Sequence, residues 1–575
     1  MTHTVSLKRR PDQAWGDLPE QLPLTLRRIL ARRGVQQANE LELSLKGLLH
    51  FNTLLNAEKA AARIGAAILA QEPICIVGDF DADGATSVSL FMRALRAMGA
   101  EQVSFLVPNR FNDGYGLSPG LVRVAHEQQV KLIITVDNGV SSFTAVDEAN
   151  RLAIDVIITD HHLTAATLPN AYTMVNPNQP DCSFVSKALA GVGVTFYVLM
   201  ALRHWFRETH PEHVGANVNL AQWLDLVAIG TVADVVPLDY NNRILVQQGV
   251  ARIRQGLCLP GVTALLEVAK RDPLQLQARD LGFTVGPRIN AAGRLDDMQR
   301  GIDCLLSTDS ESAREFALHL DELNRSRRVI EQDMQQDAEA MLAKFNIADG
   351  SFPSILAVHE PDWHQGVTGI LAGRLKERFH RPVIAFADAG EGMLKGSARS
   401  IPGLHIRDLL ERVHTLVPES IERFGGHAMA AGLSVPMEQF STFQKVLHEV
   451  AEQWIEPAML ERVIWSDGEL LADELDLQLV RDLNGVGPWG QKFEEPLFDG
   501  TFRIVQQRWL KEVHLKLVLQ VPGSQQLVDA IAFNVPNAGW ELPATENIQL
   551  AYRLQENVFR GQSQLQLMIE HIWPA

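Results

Sequence analysis

The chain has 575 residues, enough for three or four domains at roughly 100–200 residues each. Its 46% hydrophobic and 21% charged content is that of a globular protein with cores to bury, which excludes a disordered or fibrous chain. A formal charge of −17 argues against a uniformly basic nucleic-acid binder, but carboxylates gathered around cations would inflate that count, and residues 501–575 hold six Lys/Arg against six Asp/Glu.

Residues 1–70 read as helical and partly basic, with Arg27, Arg28, Arg32 and Arg33 in PLTLRRILARRG. From residue 73 short apolar runs alternate with amphipathic segments: ICIVGDFD, SVSLFMRALRAMGA, VSFLV, LIITVDNG, DVIITDHH. That alternation predicts βαβ units and a parallel sheet. A further apolar segment, LVAIGTVADVVP, reads as strand-like, and the region extends to about residue 300. Residues 309–344 lack Gly and Pro and keep helical periodicity, predicting a helix roughly 50 Å long that links two lobes. A second α/β pattern follows, with SILAVHE and VIAFA around TGILAGRLKERF. Beyond residue 465, RIVQQRWL, HLKLVLQV, LVDAIAF, NIQLAYRLQ and QLQLMIEHIW are short and alternating, as in a small barrel.

Three strand-like runs end in acids: Asp79-Phe80-Asp81-Ala82-Asp83-Gly84, Asp137-Asn138-Gly139 and Asp160-His161-His162. In a parallel sheet the C-terminal strand ends share one edge, where ligands bind, so these motifs should converge; the next apolar run adds Asp234. A single Asp after a strand is ordinarily a turn or helix cap. Clustered carboxylates repel unless cations hold them, and carboxylates with one or two imidazoles suit manganese or magnesium. DADGAT alone resembles the aspartyl-phosphate loop of haloacid-dehalogenase-like phosphatases, but that reading leaves Asp137 and Asp160-His161-His162 unused.

The ordered motifs GDFDADG, PNRFNDGYGL, VDNG, DHH and AD resemble those of the DHH phosphoesterase superfamily. WHQGVTGILAGRL and FGGHAMAAGL are similar to its associated DHHA1 domain. The resemblance implies an α/β chain: an N-terminal helical segment (1–70), a parallel-sheet DHH catalytic domain (71–308), a connecting long helix (309–345), a smaller α/β DHHA1 substrate-binding domain (346–455) and a β-barrel OB-fold-like nucleic-acid-binding domain (465–575). It implies that Asp81, Asp83, Asp137, His161 and Asp234 ligate two divalent ions, manganese or magnesium, with Asp137 bridging. His162 would contact the phosphate or move a proton, with Asp79 orienting the ligands from behind.

Arg288 and Arg294 are further candidates for catalysis, read as flanking a short loop in GPRINAAGR; a solvated surface charge is the alternative for any single Arg. Substrate contacts are expected from Arg110, Asn112, Arg374, Arg399, Gly426 and His427, where Gly425-Gly426 could instead be a turn before a helix. In the barrel, Arg503, Arg508, Trp509 and Lys516 suggest single-strand binding through charge and stacking, although Trp509 could equally fill the barrel core.

The resemblance implies a single-stranded-DNA-specific 5′-to-3′ exonuclease of DNA recombination and repair, with single-strand-binding protein and a helicase as partners. A phosphodiesterase or pyrophosphatase on small nucleotides and an inactive replication scaffold are the alternatives. No apolar run reaches the ~20 residues of a membrane helix and no leader is visible, so a cytoplasmic protein is expected. The four cysteines show no metal-site spacing and read as reduced thiols.

Overall fold

A computed structural model of the chain describes residues 5–109, 115–343, 352–535, 547–559 and 561–574. The first element is not helical: β1 (Val5–Arg9) pairs in parallel with β12 (Arg462–Ser466), far away in sequence. Helices Leu24–Arg32 and Ala57–Leu69 follow β1.

β2 (Ile74–Val77), β3 (Val103–Leu106), β4 (Leu132–Val136), β5 (Asp155–Thr159) and β6 (Thr173–Val175) form an all-parallel sheet in the order β3-β2-β4-β5-β6. β2 and β4 are buried along their whole length, because helices cover both faces and an alternating polar pattern has no place there. Ile74, Ile76, Leu132 and Ile134 face one core, with helices Ala82–Ala97 and Gly191–Thr209. Cys75, Val77 and Ile133 face the other, with helices Pro119–Glu127 and Phe143–Arg151.

Two sequence expectations fail here. The segment carrying Asp234 is a helix, Leu224–Ala233, not a strand; buried on nearly every side, it is apolar all round and carries no periodicity to reveal it. GPRINAAGR is also a helix, Gly286–Leu295, entered through a π-helical turn at Leu281–Val285. Its proline sits in the first turn, where no N–H is needed.

The helix Ser310–Leu342 is the long connector, capped by the Asp309 carboxylate accepting from the Ser312 N–H at 2.8 Å. Its Ala313, Ala317 and Leu320 pack into the first domain. Met334, Ala338 and Leu342 pack into the second. That domain holds β7 (Leu356–His359), β8 (Val383–Asp388), β9 (Met393–Arg399), β10 (Arg423–Gly426) and β11 (Ala430–Pro436) in a mixed sheet ordered β10-β11-β9-β8-β7. After β12 come β13 (Phe498–Leu510), β14 (His514–Gln520), β15 (Leu527–Ala532), β16 (Asn547–Phe559) and β17 (Gln562–Pro574), a closed barrel ordered β13-β14-β15-β17-β16.

Phe498, Leu515 and Tyr552 of the barrel belong to the same continuous core as the first domain. Arg33 and Asp467, each with a side chain 1% exposed, form two hydrogen bonds of 2.8 Å across this junction. No helix among the described residues is long and apolar enough to cross a membrane, and the four cysteines are free thiols, Cys258 half-buried and the others buried.

Candidate metal centre and its surroundings

The loop after β2 places Asp79 and Asp81 at the sheet edge. Asp81 caps helix Ala82–Ala97, its carboxylate accepting from the N–H groups of Asp83 (2.9 Å) and Gly84 (3.0 Å). A Cβ on Gly84 would lie 2.7 Å from the Asp79 nitrogen, so glycine lets this turn fold back on itself. Asp83 points inward and accepts from Gly191 N–H (2.6 Å) and Val192 N–H (2.9 Å) at the start of helix Gly191–Thr209. Asp137, just beyond β4, adopts φ +60°, a left-handed conformation that Asp tolerates better than most residues. Asp160, beyond β5, accepts from the backbone of His161 (2.7 Å), His162 (3.0 Å) and Val140 (3.0 Å) and lies 2.8 Å from His162 Nδ1.

These turns converge. His161 Nε2 lies 3.0 Å from Asp137 Oδ1 and 3.5 Å from Asp234 Oδ2, which the end of helix Leu224–Ala233 supplies. Three groups offer ligand atoms all within 4.8 Å of one another: Asp83, His161 and Asp234; Asp79, Asp81 and Asp137; and Asp137, His161 and His162. Asp79 thus lies within reach of Asp81 and Asp137.

Burial and the charge of Asp81 push Asp83 up to about 7. Burial and neighbouring acids raise Asp137 and Asp234 well above the usual carboxylate range. Burial, helped by His162, lowers His161 to about 4. Burial also disfavours the charged form of His162, but the hydrogen bond and charge of Asp160, with Asp234 and Asp79, outweigh it and raise His162 to about 9. The same partnership holds Asp160 below its ordinary value despite complete burial. Buried Asp137 Oδ1 and His161 Nε2 face each other without a hydrogen bond. Two acceptors so placed repel, and a cation satisfies both; the all-oxygen-and-imidazole donor set fits hard or borderline divalent ions.

Around this centre, His427 on the β10–β11 turn stacks its ring on His162 at 6.4 Å and 18°, so the second domain closes over the first. Its N–H donates to Ala430 O at 2.8 Å, and Gly426 takes φ +141°; the double glycine is a hairpin, not a turn before a helix. Arg294 donates to Gly366 O (2.9 Å) across the two domains. With Arg327, Arg328 and Arg374 it lines a groove of about 450 Å³ along the connecting helix. Arg374 also donates to Glu331 (2.8 Å). Arg288 is buried, its fork spent on Asp321 (2.8 and 3.0 Å) and Thr284 O (2.7 Å). Arg399 ends β9 and donates to Ala398 O (3.0 Å). Arg110 and Asn112 lie outside the described residues.

On the barrel, Arg503 and Arg508 are exposed on β13, and Trp509 is 43% exposed, outside the core. Lys516 sits opposite Arg508 and pairs with Asp529 at 2.7 Å. Sequence reasoning missed Tyr115, whose hydroxyl donates to Asp137 O (2.9 Å) and lies 3.4 Å from His162 Nε2. It also assigned no role to Asp160. Tyr115 stands within PNRFNDGYGL, but nothing in a linear pattern shows it reaching back to the next strand end.

A parallel-sheet domain carrying a carboxylate–histidine cluster, closed by a second α/β domain, defines a DHH-type protein. The chain matches the DHH family N-terminal domain over residues 73–231, the DHHA1 domain over 353–453 and the RecJ OB domain over 466–571. It is 54% identical to the single-stranded-DNA-specific exonuclease RecJ of Dickeya dadantii and 52% identical to that of Escherichia coli, each over 100% of both chains. The crystal structure of RecJ in complex with Mn2+ from Thermus thermophilus superposes with a TM-score of 0.83 at 26% identity, covering 99% of this chain and 80% of that one. The chain belongs to the RecJ family.

Proposed function

We infer that this chain is a metal-dependent exonuclease that hydrolyses the phosphodiesters of single-stranded DNA from the 5′ end. The observation that carries this is the buried, mutually repelling set of Asp79, Asp81, Asp83, Asp137, His161 and Asp234 at one sheet edge, in a chain whose relatives are named for that activity.

Asp83, His161 and Asp234 would hold one divalent ion, manganese or magnesium, and Asp79 and Asp81 a second, with Asp137 serving both. Such a pair, when bound, activates water and stabilises the leaving oxygen of an in-line displacement at phosphorus. His162, hydrogen-bonded to Asp160, would offer its outer ring nitrogen to the phosphate, and Tyr115 borders it. Arg294 and Arg374 give the groove its charge for the strand's phosphates, while Arg288 holds helix Gly286–Leu295 in place through Asp321 rather than touching substrate. Gly426 brings the backbone of the His427 turn close to the reacting end, with Arg399 beside it. On the barrel, Arg503, Arg508 and Lys516 attract the backbone and Trp509 offers a face for base stacking. In a cytoplasmic setting of recombination and repair, a helicase would supply the strand and single-strand-binding protein would accompany it.

The test is digestion of 5′-labelled and 3′-labelled single-stranded DNA with Mn2+, with duplex as control and Asp81→Ala as blank. Early release of the 5′ label with duplex spared supports the reading; no digestion with any divalent ion overturns it.

A further inference from the structure

One segment grips the candidate centre from several directions. The Asn178 side-chain amide donates to His161 O at 2.6 Å and to Lys187 O at 3.2 Å. The Asn176 amide, fully buried, donates to His162 O at 2.9 Å, and its Oδ1 accepts from Asn178 N–H at 2.7 Å. Lys187 folds the intervening loop by donating to Pro177 O (2.6 Å) and Cys182 O (2.7 Å). The same segment then enters helix Gly191–Thr209, whose Gly191 and Val192 N–H groups hold Asp83. Gly191 also packs against Asp137: a Cβ there would lie 2.6 Å from the Asp137 Cβ.

The structure assigns residues 176–192 as a positioning collar for the metal centre, with Asn178 and Asn176 as positioning residues that fix the backbone of His161 and His162. A histidine can hold an ion only if its ring is aimed beforehand. The two histidines follow β5 after the single residue Asp160, and their carbonyls are held by these two side-chain amides. Because the collar also donates to Asp83, it sets the distance between a carboxylate on one turn and an imidazole on another. The amide groups of both asparagines are spent on backbone carbonyls, so both act through their neighbours, and such outer partners typically change metal affinity by about 10- to 100-fold.

This inference rests on the metal-site reading, so the experiment separates the two. Mn2+ binding to the full-length, metal-free protein is measured by calorimetric titration for the wild type, Asn178→Asp and Asn178→Ala, alongside melting of each without metal. The Asp variant keeps the size but sets an acceptor against two carbonyls; the Ala variant removes the donor without that repulsion and serves if the Asp variant does not fold. The expected result is Mn2+ affinity weakened on the order of 10-fold or more, with a drop in metal-free melting temperature too small to account for it and KM for single-stranded DNA unchanged. Wild-type affinity in either variant overturns the collar, as does an affinity loss that merely follows a matching loss of metal-free stability. Absence of Mn2+ binding by the wild type itself overturns instead the metal-site reading.

Discussion

Stripped of divalent ions, the protein should become less stable as pH rises from 6.5 to 9. His162 has its folded value raised from 6.5 to about 9, so the folded state keeps a proton that the unfolded chain has released. Stability from that group is complete below pH 6.5 and is lost as pH climbs through about 9. The 2.5-unit difference corresponds to roughly 3 kcal/mol at about 1.4 kcal/mol per unit. Asp137 and Asp234, raised well above the carboxylate range, add losses of the same sign, whereas Asp83, at about 7, has surrendered most of its share by neutrality. His161 and Asp160 beside it do not reverse the trend. His161, lowered to about 4, is neutral when folded but half protonated when unfolded at pH 6.5, so it offsets a little of the loss at the low end of the window; Asp160, held low, is ionised in both states. Bound ions take over from the protons that keep the acids from repelling one another, so saturating Mg2+ should flatten the slope while raising stability overall. The assay is urea unfolding at pH 6.5, 7.5 and 9, with EDTA or with Mg2+. Metal-free stability that is flat or rises across this window would refute the reasoning, because it would mean that His162 does not keep its proton in the folded, metal-free protein.

Three further outcomes are expected. Gly191→Ala forces a methyl to within 2.6 Å of the Asp137 Cβ; it should cost about 1–3 kcal/mol in urea unfolding and lower Mn2+-dependent nuclease activity more than strand binding. Asp467→Ala leaves Arg33 charged and unpaired inside the junction with the barrel, and should destabilise by about 3–5 kcal/mol by the same measurement. Trp509→Ala, at a 43% exposed position on the outer face of β13, should weaken binding of long single strands by about 1–3 kcal/mol for the one stacked base lost, read by fluorescence titration, and leave cleavage of very short oligonucleotides unchanged.

The parts of this site that can be read from sequence share one property: their geometry is local. Asp79, Asp81, Asp83, Asp137, His161 and His162 each follow a short, mostly apolar run, and the parallel sheet turns that repetition into convergence. Asp234 is legible as a residue but not as part of a helix, because Leu224–Ala233 is buried on nearly every side and its apolar run has no period. The hairpin of β10 and β11 is hidden because glycines break the alternation that marks strands. β1 is invisible for another reason: its partner, β12, begins at residue 462, and no local pattern encodes so distant a pairing. Asn176 and Asn178 act through backbone carbonyls, which any residue presents, so their sequence neighbourhood carries no sign of the contact.

The same long-range pairings decide how the barrel's role can be probed. A module tethered by a linker could be removed and its contribution read by subtraction. Here the barrel's Phe498, Leu515 and Tyr552 share a core with the catalytic domain, β12 completes a sheet begun by β1, and Asp467 neutralises a buried Arg33. Cutting the chain at residue 465 would expose that core and leave a charge unpaired inside it, so lost activity would report damage as readily as lost strand binding. Substitutions on the solvent face of β13 avoid both consequences, since Arg508 and Trp509 contribute nothing to the shared core. The junction also explains what the N-terminal segment contributes physically. Through β1 and Arg33 it fastens the barrel to the domain that holds the carboxylate cluster, fixing the distance between them.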